Sequence, residues 1–235
     1  MKAILFDFGG TLDTDGIHWS EKFWDKYKLF SVPVSKKYYE EAYVYSEGHV
    51  SGLIEVTDDL KTTLKKQVML QVEYLIDTKK IMCKSKNDLI EEITSSCCND
   101  VSMNIGVIIN VLKYLSYSFK LGVVSNYYGN LSATLKGLGI LNYFDVVVDS
   151  QLVGYKKPNP KIFQEAISKI GVKASDVFVI GDSYDRDVQP SKTLGCKTIW
   201  LNGRSWEKTD NTADADYIIK SLKEVETLYY LINKN

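Results

Sequence analysis

Residues 1–15, MKAILFDFGGTLDTD, carry an apolar run that stops abruptly on a carboxylate. Ala3-Ile4-Leu5-Phe6 has the length and unbroken apolar character of a strand buried on both faces, so Asp7 is delivered to the strand's carboxyl end. Open α/β sheets bind their ligands there. Gly9 and Gly10 let the backbone fold tightly and bring amide N–H groups close to whatever Asp7 faces. Taken alone, an Asp ahead of two glycines is also the signature of a simple turn.

The same pattern recurs downstream. Leu121-Gly122-Val123-Val124 predicts a strand ending on Ser125, Phe144-Asp145-Val146-Val147-Val148 another, and Val177-Phe178-Val179-Ile180 runs into Gly181-Asp182. Residues 198–201 and 217–219 are later strand candidates. Helical stripes lie between them: Ile105, Ile108, Ile109, Leu112 and Leu115, then residues 131–138, then Ile162, Phe163, Ala166, Ile167 and Ile170. A last helix opens at Ser221, with Glu224 in capping-box register. Strands alternating with helices predict a mainly parallel sheet joined by right-handed crossovers. In such a sheet Asp7, Ser125 and Asp182 emerge at one edge, and a hydroxyl and two carboxylates at equivalent strand ends point to a shared crevice.

Residues 15–102 read differently. Phe23, Tyr27 and Phe30 recur at near-helical spacing, and Leu60, Leu64, Val68, Val72 and Leu75 mark one face of a longer helix opened by Thr57-Asp58-Asp59. The pattern predicts an α/β core domain over 1–14 and 103–235, interrupted by a helical insertion over 15–102. Its hinges are expected near 14–16 and 100–103. The insertion's rings, among them Trp19, Trp24, Tyr27, Tyr39 and Tyr43, suit a small helical core, and some could wall a pocket.

Composition narrows the function. The 235 residues are 45% hydrophobic and 25% charged, ordinary for a soluble globular protein. A net charge of -1 gives no electrostatic reason to expect nucleic acid or an anionic membrane. Arg186 and Arg204 are the sole arginines, so phosphate binding falls to lysines, backbone amides or a metal. With only His18 and His49 available, a histidine-rich metal site is excluded and a Ser-His-Asp hydrolase is disfavoured. Cys83, Cys97, Cys98 and Cys196 make no CxxC or zinc-ligand spacing and read as reduced structural thiols. The apolar run after Lys2 is too brief for a signal-peptide core, and no membrane-length apolar stretch occurs later, so a cytoplasmic location is expected.

Four stretches, FDFGGTLD around Asp7, VVSN around Ser125, GYKKPNPKIF around Lys157 and VIGDSYDRDV around Asp182, together resemble the haloacid dehalogenase-like superfamily of hydrolases, chiefly phosphatases. Their order matches, and the helical insertion sits where that family carries its α-helical C1 cap. The resemblance implies a Rossmann-like three-layer α/β core under a helical cap that closes over a small phosphorylated metabolite. It also implies Mg²⁺ as cofactor, with neither nucleic acid nor membrane as partner.

In that reading Asp7 is the carboxylate nucleophile, forming an aspartyl-phosphate and splitting one difficult displacement into two. Lys157, ahead of Pro158 as in the family's KPxP motif, sets its charge beside Asp7 and the transferring oxygens; Lys156 is then a surface charge. Ser125 offers a hydroxyl to a phosphoryl oxygen, with Asn126 and the Gly9–Gly10 amides as further donors. Asp7, Asp182 and the Gly9 carbonyl are the implied Mg²⁺ ligands, supported by Asp187 in a GDxxxxD spacing or by Asp185 in a shorter one.

One position departs from the family. Its phosphatases commonly place a second aspartate two residues after the nucleophile, to protonate the leaving group and later activate water; here Gly9 stands there. Such a group is worth roughly 10²–10⁴-fold in rate. The substrate would then need a good leaving group, or Asp13, Asp15 or His18 would substitute. A dehalogenase of the same superfamily, or a silent phospholigand-binding protein, are the competing readings.

Overall fold

Ala3–Phe6 (β1) is buried along its whole length. The structure, a computed structural model, describes residues 1–82, 85–206 and 214–227. Five further strands are described: β2 (Lys120–Ser125), β3 (Val146–Asp149), β4 (Val177–Gly181), β5 (Lys197–Leu201) and β6 (Tyr217–Ile219). All pair in parallel in the order β3-β2-β1-β4-β5-β6. The chain therefore winds outward in opposite directions from β1, which opens a crevice at the carboxyl edge beside Asp7.

The sheet is covered on both sides, which explains why its strands show no polar alternation. Ile4 and Phe6 join Leu121, Val123, Phe178 and Ile180 in one core, whereas Ala3 and Leu5 join Val124, Val148 and Val179 in the other. Eight α-helices are described: α1 (Trp19–Leu29), α2 (Lys36–His49), α3 (Leu60–Asp77), α4 (Lys86–Ser116), α5 (Leu131–Gly137), α6 (Ser150–Val153), α7 (Lys161–Ile170) and α8 (Gln189–Thr193). The stripe Ile162, Phe163, Ala166, Ile167 and Ile170 turns α7 onto the second core, as its spacing predicts. Helices, parallel sheet and helices make the three-layer α/β architecture expected from the sequence.

Residues 19–116 are dominated by α1 to α4. Asp59 caps α3 by accepting from Thr62 N at 2.8 Å, which satisfies one of the unpaired N–H groups of the first turn. Phe23, Tyr27 and Tyr39 are fully buried and pack on one another and on α3 and α4, so most of the aromatic density serves the core. Trp19 and Tyr43 instead reach a cavity described below.

The chain does not return to the sheet through a loop at 100–103. α4 runs unbroken through that point, and its buried residues Ile90, Ile93, Cys97, Val101, Ile105, Ile108, Leu112 and Leu115 form one continuous stripe. Along its length the helix packs against α1, α3 and β2. On the entry side, Gly203 N–Cα backbone lies so close to Gly16 that a Cβ at 203 would meet the Gly16 carbonyl oxygen at 1.8 Å. His18 N donates to Arg204 O at 2.9 Å and Arg204 N to Gly16 O at 2.7 Å, so a short ladder fixes this crossing.

Cys97, Cys98 and Cys196 are free thiols, and Cys83 lies outside the described residues. Glu224 Oε1 accepts from Ser221 N at 3.0 Å, the capping-box bond read from the sequence; the remainder of that helix lies outside the described residues. Among the described residues no helix is long and apolar enough to cross a membrane.

Candidate active site

Phe6 ends β1 and the chain turns at once, with Gly10 at φ +93°, so that residues 8–12 curl over the end of β4. Thr11 locks the two together: its hydroxyl donates to Asp182 Oδ1 at 3.1 Å and accepts from Asp182 N at 3.0 Å. A Cβ at Gly10 would meet Asp182 Oδ2 at 2.4 Å, so this close approach admits only glycine. The turn thus places two carboxylates from neighbouring strands side by side.

Lys157 binds the cluster from below the opposite loop. Its Nζ lies 2.6 Å from Asp7 Oδ1 and 2.6 Å from Asp187 Oδ1, and the residue is buried. Burial pulls its pKa down, but the carboxylates of Asp187 and Asp7 outweigh this and raise it above the ordinary lysine value. Lys156 is exposed, in keeping with a surface charge. Asn126 lines the cavity and also clamps the lysine's backbone: its Oδ1 accepts from Lys157 N at 2.8 Å and its Nδ2 donates one N–H to Lys157 O at 3.0 Å.

Asp187 is buried and Asp185 exposed, because the turn after Ser183 folds residue 187 inward. Ser183 N donates to Asp187 Oδ2 at 3.1 Å, and the Ser183 hydroxyl accepts from Arg186 N at 3.3 Å. Burial and the nearby Asp7 charge push the Asp187 carboxyl up to about 6 despite Lys157. Asp182 stands well above the usual carboxylate range, chiefly through burial and then through the charges of Asp7 and Asp187. Ser125 is buried at the end of β2 and lines the same cavity.

Asp7, Asp182 and Asp187 each offer one oxygen within 4.8 Å of the others. Three carboxylates, those of Asp7 and Asp187 buried and that of Asp182 partly so, share one lysine, an arrangement that a small divalent cation would help neutralise, and an all-oxygen donor set suits Mg²⁺. The residues present therefore fit that ion.

Of the three groups considered in place of the missing acid–base, two reach the cavity. Asp13 accepts from Gly10 N at 2.8 Å and from Trp19 Nε1 at 2.7 Å, and burial pushes its carboxyl up to about 7. His18 lines the cavity, with Nδ1 2.8 Å from Ser20 Oγ. Asp15 is committed elsewhere, accepting from Ser221 Oγ and Leu222 N, both at 2.7 Å.

The cavity measures about 330 Å³, and its wall includes residues that the sequence did not single out. Glu47, Gln67, Tyr128, Arg186 and Trp206 line it together with Trp19 and Tyr43. No local pattern marks Glu47 or Gln67, which sit on different helices of residues 19–116. Thr11 was not singled out either, although its place in GGTLD gave a signal.

The family model described as haloacid dehalogenase-like hydrolase matches residues 1–195. The chain is 38% identical over 106 residues to haloacid dehalogenase-like hydrolase domain-containing protein 3 of Danio rerio, covering 45% of this chain and 44% of that protein. It is 32% identical over 122 residues to pyrimidine 5'-nucleotidase YjjG of Escherichia coli (strain K12), covering 51% of this chain and 54% of that protein. It thus matches about half the length of these curated relatives. A solved structure of the hydrolase YfnB of Bacillus subtilis bound to magnesium shares the fold, with a TM-score of 0.60 at 16% identity over 97% of each chain. With its model matched across both the first carboxylate strand and the GDSYDRD turn, the chain belongs to the haloacid dehalogenase-like hydrolases.

Proposed function

We propose that the chain is a Mg²⁺-dependent phosphatase acting on a small phosphorylated metabolite through an aspartyl-phosphate at Asp7. The observation that carries this reading is the contact of Lys157 Nζ with Asp7 Oδ1 at 2.6 Å, inside a cavity that also holds Asp182 and Asp187. A relative named as a pyrimidine 5'-nucleotidase supports a phosphate ester as substrate.

A carboxylate oxygen of Asp7 attacks phosphorus, the bond from phosphorus to the ester oxygen breaks, and the phosphoryl group stays on Asp7. Water then attacks that phosphorus, restoring the carboxylate and releasing inorganic phosphate. Lys157 stabilises charge on the transferring oxygens, and the Ser125 hydroxyl donates to one of them. Asn126 holds the Lys157 backbone in place. Gly9 would bring its backbone N–H to the phosphate, whereas the Gly10 N–H is taken by Asp13 Oδ1 at 2.8 Å. Asp7, Asp182 and the Gly9 carbonyl would hold Mg²⁺, with Asp187 in support. When bound, the ion draws charge from the phosphoryl oxygens. Asp13 is the carboxyl best placed to give the departing oxygen its proton, since it lines the cavity and stays partly protonated near neutral pH.

The test is a screen of metabolite phosphates with purified protein at defined Mg²⁺. Phosphate release that chelator abolishes, and that Asp7→Asn eliminates in a folded protein, is the expected result. Unchanged release by Asp7→Asn would overturn the assignment. Gly9 favours one competitor, attack by Asp7 on carbon in a 2-haloacid. Chloride release undiminished by chelator would select it, and binding without turnover of any ester would select the silent phospholigand-binding reading.

A further inference from the structure

The helical side of the cavity carries a polar set that the phosphoryl chemistry leaves unused. Glu47 on α2 lines the cavity and is solvent-accessible. Its Oε1 accepts from Gln67 Nε2 of α3 at 2.6 Å, and both its oxygens lie within 3.4 Å of the Tyr128 hydroxyl. Gln67 Nε2 also donates to that hydroxyl at 2.9 Å. Three side chains from three separate segments are thereby fixed to one another. Tyr128 follows Ser125 by three residues, so the set is anchored beside the phosphoryl end of the cavity.

A carboxylate has about four lone-pair directions, and these contacts occupy only part of them. Glu47 thus remains an acceptor toward the cavity. Desolvation within the cleft raises its carboxyl above the ordinary glutamate value, while Gln67, Tyr128 and the charges of Arg186 and Lys156 oppose the rise. Aromatic faces flank it: Tyr43 and Trp206 pack edge to face at 5.2 Å, and Tyr127 and Tyr128 lie 5.2 Å apart. The cavity's charge points the same way. The carboxyl groups of Asp7, Asp13, Asp182, Asp187 and Glu47 outnumber the cations Lys157 and Arg186 in its lining.

Resting on the phosphatase reading above, we infer that Glu47, Gln67 and Tyr128 form a specificity subsite that selects leaving groups bearing a hydrogen-bond donor and rejects those bearing a carboxylate. The recognised chemistry is an N–H or O–H aimed at Glu47, with the rest of the leaving group against the aromatic walls. An ammonium, a hydroxyl or a nucleobase N–H each supplies it.

Kinetics on esters of graded chemistry tests this. Phosphoethanolamine, glycerol 3-phosphate and uridine 5'-monophosphate present the three kinds of donor, propyl phosphate presents none, and 2-phosphoglycolate presents a carboxylate. The best donor-bearing ester should exceed propyl phosphate in kcat/KM by about tenfold or more, as a charge-assisted hydrogen bond supplies, and 2-phosphoglycolate should rank last. Which donor ranks first identifies the source. Glu47→Lys should move 2-phosphoglycolate above the donor-bearing esters, and Tyr128→Phe, which keeps the ring's shape, should narrow the preference. A wild-type preference for 2-phosphoglycolate would assign the subsite to Arg186 and overturn the inference, as would an unchanged ranking in Glu47→Lys. If Glu47→Lys does not fold, Glu47→Gln and Tyr128→Phe decide by the same ratio. If the wild type turns over none of the five, calorimetric titration of the same esters with Mg²⁺ decides the subsite on its own, and the wider metabolite screen decides the phosphatase reading separately.

Discussion

Asp182 rests against Gly10 so closely that a Cβ there would meet Oδ2 at 2.4 Å and Cγ at 2.6 Å. The contact joins the turn after β1 to the end of β4, and it sets the spacing of the carboxylates. Gly10→Ala adds a methyl group where none fits and forces a side chain onto φ +93°. The expected outcome is a loss of stability of roughly 1–3 kcal/mol, read by denaturant unfolding, with a larger loss of Mg²⁺-dependent turnover.

Lys157→Met leaves Asp7 and Asp187 without the cation that lies 2.6 Å from each. Removing one partner of a buried ion pair costs about 3–5 kcal/mol. The deficit should be largest at neutral pH and shrink on acidification, because Asp187 and Asp182 already have raised carboxyls and take up protons readily. Unfolding curves of both proteins between pH 5 and pH 7, about one unit on either side of the Asp187 value, check this.

Asp13 makes a pH-dependent contribution of known sign. Its carboxyl is raised from 3.8 to about 7 in the folded chain, so between these values the unfolded chain has lost a proton that the native state keeps. Native stability falls as pH rises through this window, by on the order of 4 kcal/mol once above the folded value. Asp13→Asn should therefore gain stability relative to wild type from pH 4 to pH 7. Its turnover of alkyl phosphates should drop by roughly 10²-fold or more, with a much smaller drop for p-nitrophenyl phosphate, whose leaving group needs no proton. Equal losses on both would show that Asp13 only orders the turn.

Gly9→Asp should supply a carboxyl two residues after Asp7, where the resemblance drawn from the sequence leads one to expect it. The backbone at Gly9, with φ -74° and ψ 115°, is open to any residue, and a Cβ there would meet Trp19 Cδ1 at an ordinary 3.7 Å. Turnover of alkyl phosphates should rise, by up to roughly 10²-fold, while p-nitrophenyl phosphate changes little. Stopped assays of phosphate release on matched esters measure both.

Asp7, Ser125, Lys157 and Asp182 were legible because each sits where a strand's apolar run stops or a short motif fixes its loop, and strand order then brings those points together. The GDxxxxD spacing favoured Asp187 over Asp185, and the turn after Ser183 supplies the physical reason, since it folds residue 187 inward and leaves 185 exposed. Asn126 reads as a phosphate donor from its place after Ser125, and its amide also clamps the Lys157 backbone, 31 residues away. Glu47 and Gln67 left no trace, since a polar residue on a helix looks solvated until the neighbouring helix is placed. The continuity of α4 was hidden for a related reason: its apolar stripe keeps one spacing throughout, but it packs against α1, α3 and β2, elements on both sides of the domain boundary expected from the sequence.

That unbroken helix acts as a lever. With 31 residues at about 1.5 Å each it is roughly 46 Å long, so a tilt of about 5° near Ser116 carries its Lys86 end some 4 Å. Asp100, which rides on it, takes Lys22 and Lys26 of α1 along through ion pairs of 2.8 Å and 2.6 Å. A small adjustment where β2 meets the helix would thus be magnified into a displacement of substrate size at its Lys86 end.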